Sequence, residues 1–237
     1  MYKRPDGRSL VVVHGGAAAQ HYRNVLEALD SAIATKADYF EFDVRRTRDR
    51  ALVVHHDEDI DGVRLDTLDV ASAERAASES GYTLPRLEML LARARGAVRL
   101  DVELKETGYE AAVLDSLRAH GFELDHFLVT SFEQAALDAV RAANPEVVTG
   151  LLVWDVTGSE ALDLFDRSNT MFLGPDHAIL DDETLERAKR TGVRLVPWTV
   201  NDDAAIQRLL RADAVAGIIT DDASRALAIR KRLVLRG

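Results

Sequence analysis

Short apolar segments alternate with longer amphipathic segments along the whole chain, and this alternation restricts the possible folds more than any other feature. Each apolar segment is short and is bounded by polar or turn residues, which predicts a β-strand. The predicted strands are residues 10–13, 39–44, 98–104, 127–130, 147–153, 170–173, 194–199 and 217–220. Apolar residues recur at helical spacing after each strand, and in the first helix they are Val25, Leu26, Leu29 and Ile33.

Strict alternation of strands and helices predicts parallel strands joined by right-handed crossovers. Eight such units in a chain of 237 residues favour an α/β fold of the (β/α)8 TIM barrel type over an open, doubly wound sheet. No segment resembles a linker, so we expect a single domain over residues 1–237. A short insertion follows the second strand, with an added strand at 51–56 and a polar, irregular segment at 57–83.

Composition limits the possible partners. The net charge of −10 argues against nucleic acid, because nucleic-acid binding requires a basic surface. The chain contains no cysteine, which excludes disulfides, thiolate metal ligands and a thiol nucleophile. The first apolar segment, Leu10–Val13, is too short for the core of a signal peptide or for a membrane span. We therefore expect a soluble, cytoplasmic protein that does not insert stably into membranes.

Charged side chains interrupt two of the predicted strands. Side chains two residues apart point to the same face of a strand, so Glu41 lies beside Asp43, and Asp101 lies beside Glu103 and Lys105. In TIM barrels the site lies at the carboxyl ends of the strands, where these carboxylates would converge. Carboxylates packed together cannot all remain ionised unless a cation holds them. Oxygen ligands without cysteine favour one divalent cation of the Mg²⁺ or Ca²⁺ type over zinc.

Two histidines also lie at predicted strand ends. His14 follows the first strand, and His56 ends the added strand. Imidazoles transfer protons near neutral pH, and Lys105 would attract an anionic substrate. Taken alone, a residue of any of these types belongs more often to an ion pair or a cap than to a catalytic site. The combination of histidines, paired acids and a lysine at one predicted mouth favours a functional site.

These residues lie in motifs that resemble the glycerophosphodiester phosphodiesterase family, whose fold is a (β/α)8 barrel. The resemblance covers about residues 10–222. Its most specific parts are the E-x-D, H-D and E-x-K patterns. The matching motifs are HGG (14–16), ADYFEFDV (37–44), VVHHD (53–57), LPRLEMLL (84–91), DVELK (101–105), VTSF (129–132), PWTVN (197–201) and GIITD (217–221).

The resemblance implies a function and a set of site residues. It implies hydrolysis of a small-molecule glycerophosphodiester to sn-glycerol 3-phosphate and an alcohol. It makes His14 and His56 the general acid and base, without deciding which is which. The further implied roles are metal ligation by Glu41, Asp43 and Glu103, stabilisation of phosphate charge by Lys105, and contact with the glycerol group by Trp198.

The chain departs from the family pattern at two places beside the first histidine. The family usually reads H-R-G where this chain has His14-Gly15-Gly16, and E-N-T where it has Arg23-Asn24-Val25. An arginine gives phosphate two parallel hydrogen bonds, and glycine gives none. We hypothesise that Arg23 binds the substrate by supplying the missing positive charge; the alternative is that Arg23 is a solvated surface residue.

Two alternative functions remain open at this point. The first keeps the same site but ends at a cyclic phosphate, as in the related phospholipases D of the sphingomyelinase D type. The second is a non-catalytic barrel that binds a phosphorylated ligand, and the missing arginine is its best support. The retained carboxylates, histidines and lysine argue against it. The short, acidic insertion leaves the alcohol group of the substrate undefined.

Overall fold

The computed structural model describes residues 8–15 and 25–234. Within them, ten strands and nine α-helices follow one another largely in alternation. The strands are β1 (Leu10–His14), β2 (Tyr39–Arg46), β3 (Leu52–Val54), β4 (Asp59–Ile60), β5 (Val63–Arg64), β6 (Arg99–Leu104), β7 (Phe127–Ser131), β8 (Thr149–Val153), β9 (Phe172–Pro175) and β10 (Gly217–Thr220). The helices are α1 (Val25–Thr35), α2 (Val70–Glu79), α3 (Leu87–Ala94), α4 (Glu110–Ala119), α5 (Gln134–Ala143), α6 (Gly158–Ser168), α7 (Asp182–Thr191), α8 (Asp203–Arg211) and α9 (Ala223–Val234).

The principal sheet is parallel and curled, and its strands run in the order β10-β1-β2-β6-β7-β8-β9. Seven of the eight predicted strands are present, within two residues of their predicted bounds. β3 is the added strand and pairs antiparallel with β2. The α/β class and the TIM-barrel type of fold are thus confirmed.

The strand predicted at 194–199 is the exception, because this segment forms only isolated bridges. It still hydrogen-bonds to both neighbours. Val196 N donates to Leu173 O at 2.8 Å on the β9 side, and Ala216 N donates to Leu195 O at 2.8 Å on the β10 side. Pro197 has no N–H to donate, which interrupts a regular ladder. The segment nevertheless occupies the place of the seventh barrel strand and joins β9 to β10.

Two apolar layers follow from the alternation of side chains along the strands. Val11 and Val13 belong to the large core that the barrel shares with the surrounding helices. Leu10 and Val12 belong to a smaller cluster made only of residues from the strands and their bridging segments, which fills the barrel interior. In β2, Phe40 and Phe42 belong to the outer core, so the acids that alternate with them face the interior.

The insertion after β3 is more ordered than predicted. The expectation of an irregular segment at 57–83 was wrong, because it contains the β4–β5 hairpin, a 3-10 turn at Leu65–Thr67 and helix α2. Ile60, Leu65, Ala73 and Ala77 bury their side chains in a small core of their own. Alanines that face inward let α2 pack closely, although the segment is rich in acids. No helix in the described parts of the chain is long and apolar enough to cross a membrane.

Candidate active site

A cavity of about 400 Å³ opens at the carboxyl ends of the barrel strands. This volume is in the range typical of small-molecule sites. Seven of the eight residues predicted for the site line this cavity. The full lining is His14, Glu41, Asp43, His56, Glu103, Lys105, Thr130, Phe132, Leu152, Trp154, Trp198 and Ile219.

The eighth predicted residue, Arg23, lies outside the described residues, as do Gly16 and Asn24. The hypothesis that Arg23 supplies a positive charge therefore stays a prediction.

Three carboxylates form a cluster at the floor of the cavity. β2 and β6 pair in parallel register with Asp43 opposite Glu103. Glu41 lies two residues before Asp43 on the same face. Glu41, Asp43 and Glu103 are all buried, and each can place one oxygen within 4.8 Å of those of the other two. We call these three residues the acidic triad.

The electrostatics of the acidic triad favour a bound cation. Burial raises the pKa of Glu41 and Glu103 well above their usual range, and the neighbouring charge of Asp43 raises both further. Ionising all three buried carboxylates without a nearby cation would therefore cost a large free energy. A divalent cation would compensate this charge, and carboxylate oxygens are the ligands that hard cations prefer. The residues present thus fit a metal ion.

Lys105 supplies a positive charge to the acidic triad. Its Nζ lies 2.6 Å from Glu103 Oε1 and 3.3 Å from Asp43 Oδ1. Burial lowers the pKa of Lys105, but the charges of Asp43 and Glu103 outweigh this effect and leave the pKa raised. The lysine is consequently a protonated ammonium that is held at the floor of the cavity.

Asp101 is a fourth buried acid, but it does not belong to the triad. It pairs in register with Glu41, two residues before Glu103 on β6, and does not line the cavity. Its Oδ1 accepts a 2.7 Å hydrogen bond from Thr130 Oγ1. Burial raises the pKa of Asp101 to about 7. The two-residue period of the strand placed Asp101 and Glu103 on the same face of β6. In the structure only Glu103, which lies nearer the carboxyl end of the strand, lines the cavity.

His14 is held by two residues that the sequence did not assign to the site. Its Nδ1 lies 2.8 Å from Asp221 Oδ1, and Asn201 Nδ2 donates to the other oxygen of Asp221 at 2.6 Å. Burial opposes protonation, yet the Asp221 hydrogen bond and the charges of Glu41, Asp221 and Asp43 raise the pKa of His14 to about 9. Asn201 and Asp221 lie at the ends of barrel segments, within the PWTVN and GIITD motifs. That position is the sequence signal that could have assigned both residues to the site.

His56 reaches the cavity from the β3 side. Its Nδ1 lies 2.8 Å from Asp57 Oδ1, and Arg45 Nε donates to its backbone oxygen at 2.9 Å. His55 points the other way, toward the insertion, where its ring stacks on Tyr82 with centroids 5.9 Å apart. The structure thus brings His56, and not His55, to the cavity.

Gly15, which stands where the family usually has arginine, lies close against β2. The Gly15 N–H donates to Glu41 Oε2 at 3.0 Å, which holds the Glu41 carboxylate in place. A Cβ atom at position 15 would lie 2.3 Å from the backbone oxygen of Glu41. A side chain at this position would require β1 and β2 to move apart locally.

The remaining wall of the cavity is aromatic and aliphatic. Trp198 Nε1 donates to Gly174 O at 2.8 Å, which fixes the indole. Phe132 meets Trp198 edge to face, with ring centroids 5.5 Å apart. Trp154 lies at the rim and is 68% exposed.

The carboxyl end of this parallel barrel carries buried carboxylates, a lysine and two histidines. This set of side chains is typical of an enzyme that combines a bound cation with proton transfer. The sequence model of the glycerophosphoryl diester phosphodiesterase family matches residues 14–225. The chain therefore belongs to this family of phosphodiesterases, as the motifs indicated.

Similar proteins agree in length and fold. A glycerophosphodiester phosphodiesterase of Caldanaerobacter subterraneus is 28% identical over 233 residues, which cover 91% of this chain and 95% of the relative. One of Bacillus subtilis is 27% identical over 252 residues, covering 92% and 84%. The solved structure of an Oleispira antarctica phosphodiesterase in complex with its product sn-glycerol-3-phosphate has a TM-score of 0.81 at 20% identity, covering 94% of this chain and 97% of that one.

Proposed function

We propose that this chain is a metal-dependent phosphodiesterase that hydrolyses glycerophosphodiesters to sn-glycerol 3-phosphate and an alcohol. The observation that carries the proposal is the presence of the acidic triad, His14 and His56 in one cavity of about 400 Å³. Family membership supports this reaction. The product bound to the Oleispira antarctica phosphodiesterase supports sn-glycerol 3-phosphate as the product here.

The proposed metal is Mg²⁺ or Ca²⁺, held by Glu41, Asp43 and Glu103. Carboxylate oxygens suit both of these cations, and the chain offers no thiolate that would select a softer metal. When bound, the cation would offset the charge of the phosphate and polarise its P–O bonds.

His14 and His56 share the proton transfers. One imidazole takes the proton of the nucleophile, which is water or a hydroxyl of the substrate's glycerol. The other imidazole gives a proton to the oxygen of the departing alcohol. With water as the nucleophile, this step adds one water across the P–O bond. With the glycerol hydroxyl as the nucleophile, the first step gives a cyclic phosphate and the alcohol, and a water opens the ring in a second step with the proton transfers reversed. Asp221 holds the Nδ1 side of His14, which leaves Nε2 directed toward the acidic triad at 3.9 Å from Glu41 Oε2.

Lys105 has the role of a fixed positive charge. Its ammonium lies beside Glu103 and Asp43, within the cavity that would receive the phosphate. A charge held in place before the reaction needs no reorganisation as negative charge develops on the phosphate oxygens. This supports the proposed stabilisation of the transition state.

The test is release of glycerol 3-phosphate from glycerophosphocholine and glycerophosphoethanolamine, measured with Mg²⁺, with Ca²⁺ and with EDTA. We expect turnover that requires a metal and is lost in His14→Ala and Glu41→Gln. His126→Ala and Glu183→Gln are matched controls, because both residues lie away from the cavity. Phosphorus NMR of the products distinguishes the monoester from a cyclic phosphate. Turnover in EDTA, or none with any metal, would contradict the proposal.

A further inference from the structure

One wall of the cavity has no part in the chemistry proposed above. It consists of Phe132, Leu152, Trp154, Trp198 and Ile219, and we call it the aromatic wall. These residues come from the β7 and β8 ends, the 194–200 segment and β10, whereas the acidic triad comes from β2 and β6. The order of strands around the barrel therefore divides the cavity into a charged half and an apolar half.

Trp154 is the most exposed member of the aromatic wall, at 68%. It lies two residues after Leu152, so both side chains face the cavity. The next residue, Asp155, has a φ of 56°, a left-handed conformation that aspartate tolerates better than most residues. The chain thus turns away directly after Trp154 and leaves the indole at the rim. An indole that stays mostly in water adds little to folding stability, so packing does not account for its position.

The aromatic wall restricts the chemistry of a group that binds against it. The Trp198 N–H already donates to Gly174 O at 2.8 Å, so it is not available to a hydroxyl-rich alcohol. The cavity volume of about 400 Å³ suits a small head group. An apolar group and a quaternary ammonium are the two chemistries that an indole face binds well.

Charge favours the quaternary ammonium over an uncharged apolar group. The chain has a net charge of −10, and the exposed Asp155 follows Trp154 directly. A carboxylate beside the indole attracts a cationic group more than an uncharged one. A trimethylammonium group also sheds its water against an aromatic face more readily than a primary ammonium, which keeps its hydrogen bonds to water.

We propose that Trp154 is a specificity-determining residue that binds the quaternary ammonium end of the alcohol group, so that choline diesters are preferred to ethanolamine diesters. This inference rests on the proposed phosphodiesterase function and adds the substrate class to it. The phosphate would lie over the charged half of the cavity, and the choline group would lie against Trp154 at the rim.

The test compares kcat/KM for glycerophosphocholine and glycerophosphoethanolamine in the wild type, Trp154→Ala and Trp154→Phe. We expect the wild type to prefer the choline diester. Trp154→Ala should lower this preference about threefold to tenfold, mainly through KM, as expected for loss of an exposed cation–π contact. Trp154→Phe should retain much of it. Met171→Ala is the control, because Met171 is 45% exposed and precedes β9 at the opposite end of the barrel.

The outcomes separate this inference from the proposed function. An unchanged preference in Trp154→Ala, with both diesters still hydrolysed, would overturn the role of Trp154 and leave the phosphodiesterase intact. Hydrolysis of neither diester by the wild type would overturn the proposed function itself. The third comparison is between 1-palmitoyl-lysophosphatidylcholine and glycerophosphocholine, which differ only in the acyl chain. A wild-type preference for the lysophospholipid that is lost in Trp154→Ala would show that the aromatic wall binds an acyl chain, and it would overturn the choline assignment.

Discussion

The Nδ1 atom of His14 lies 2.8 Å from Oδ1 of Asp221, although 207 residues separate the two in the chain. The contact exists because β1 and β10 are neighbours in the barrel, with Val13 in register with Thr220. Asn201 donates to the second carboxylate oxygen at 2.6 Å. An acid in this position fixes which nitrogen of the imidazole carries the proton.

Replacing Asp221 by Asn should lower kcat about 10- to 100-fold with little change in KM, because the amide no longer holds His14 in its tautomer. Steady-state kinetics on a glycerophosphodiester measure the effect. Asp182→Asn removes an acid that is 98% exposed and serves as the control. A fall in kcat matched by loss of folded protein would assign Asp221 a structural role only.

Replacing Lys105 by Met should lower kcat about 100-fold, the usual effect of losing one fixed group that stabilises the transition state. The variant should also melt at a lower temperature in EDTA, because Glu103 and Asp43 lose the ammonium that pairs with them. Added Mg²⁺ should then raise the melting temperature more than in the wild type. Lys189→Met, which breaks an exposed pair with Asp213, is the control. Wild-type kcat in Lys105→Met would contradict the assigned role.

The metal-free protein should lose stability as the pH rises from 6.5 to 9. The folded state raises the pKa of Glu41 and Glu103 by burial, so it holds protons that the unfolded state has released. The raised pKa of His14 acts in the same direction, since its stabilisation is present below pH 6.5 and is lost as the pH passes about 9. We expect a decrease in melting temperature of roughly 5 °C in EDTA.

Two comparisons check this pH dependence. Saturating Mg²⁺ should flatten the decrease, because the cation replaces the protons on the acidic triad. Glu103→Gln should flatten it in EDTA, because one buried acid is gone. A melting temperature in EDTA that rises over this interval would show that the triad carboxylates are ionised in the folded protein without a metal.

Replacing Gly15 by Ala should lower the free energy of unfolding by about 1 to 3 kcal/mol, as expected for an overpacked contact. The added Cβ would lie 2.3 Å from Glu41 O, so β1 must move away from β2. That movement breaks the Gly15–Glu41 hydrogen bond and should weaken Mg²⁺ binding, measured by calorimetry. Gly192→Asn is the control, because this helix-ending glycine has open space around it and asparagine tolerates its positive φ. Unchanged metal binding in Gly15→Ala would contradict the argument.

The sequence by itself determined the fold class and most of the charged residues that line the cavity. The eight strand–helix units permit few arrangements other than a barrel, because parallel strands need right-handed crossovers and short connections. The two-residue period of a strand placed Glu41 beside Asp43 and Glu103 beside Lys105 on common faces. Both inferences depend only on the spacing of residues that are close together in the chain, and a single sequence shows that spacing directly.

Only the tertiary structure decided the relationships between distant segments. It paired Asp101 with Thr130 outside the acidic triad, and it turned His56 toward the cavity and His55 toward Tyr82. It also joined Asp221 to His14. The physical reason is that each contact depends on the register and closure of strands far apart in the chain, which local side-chain periodicity does not specify.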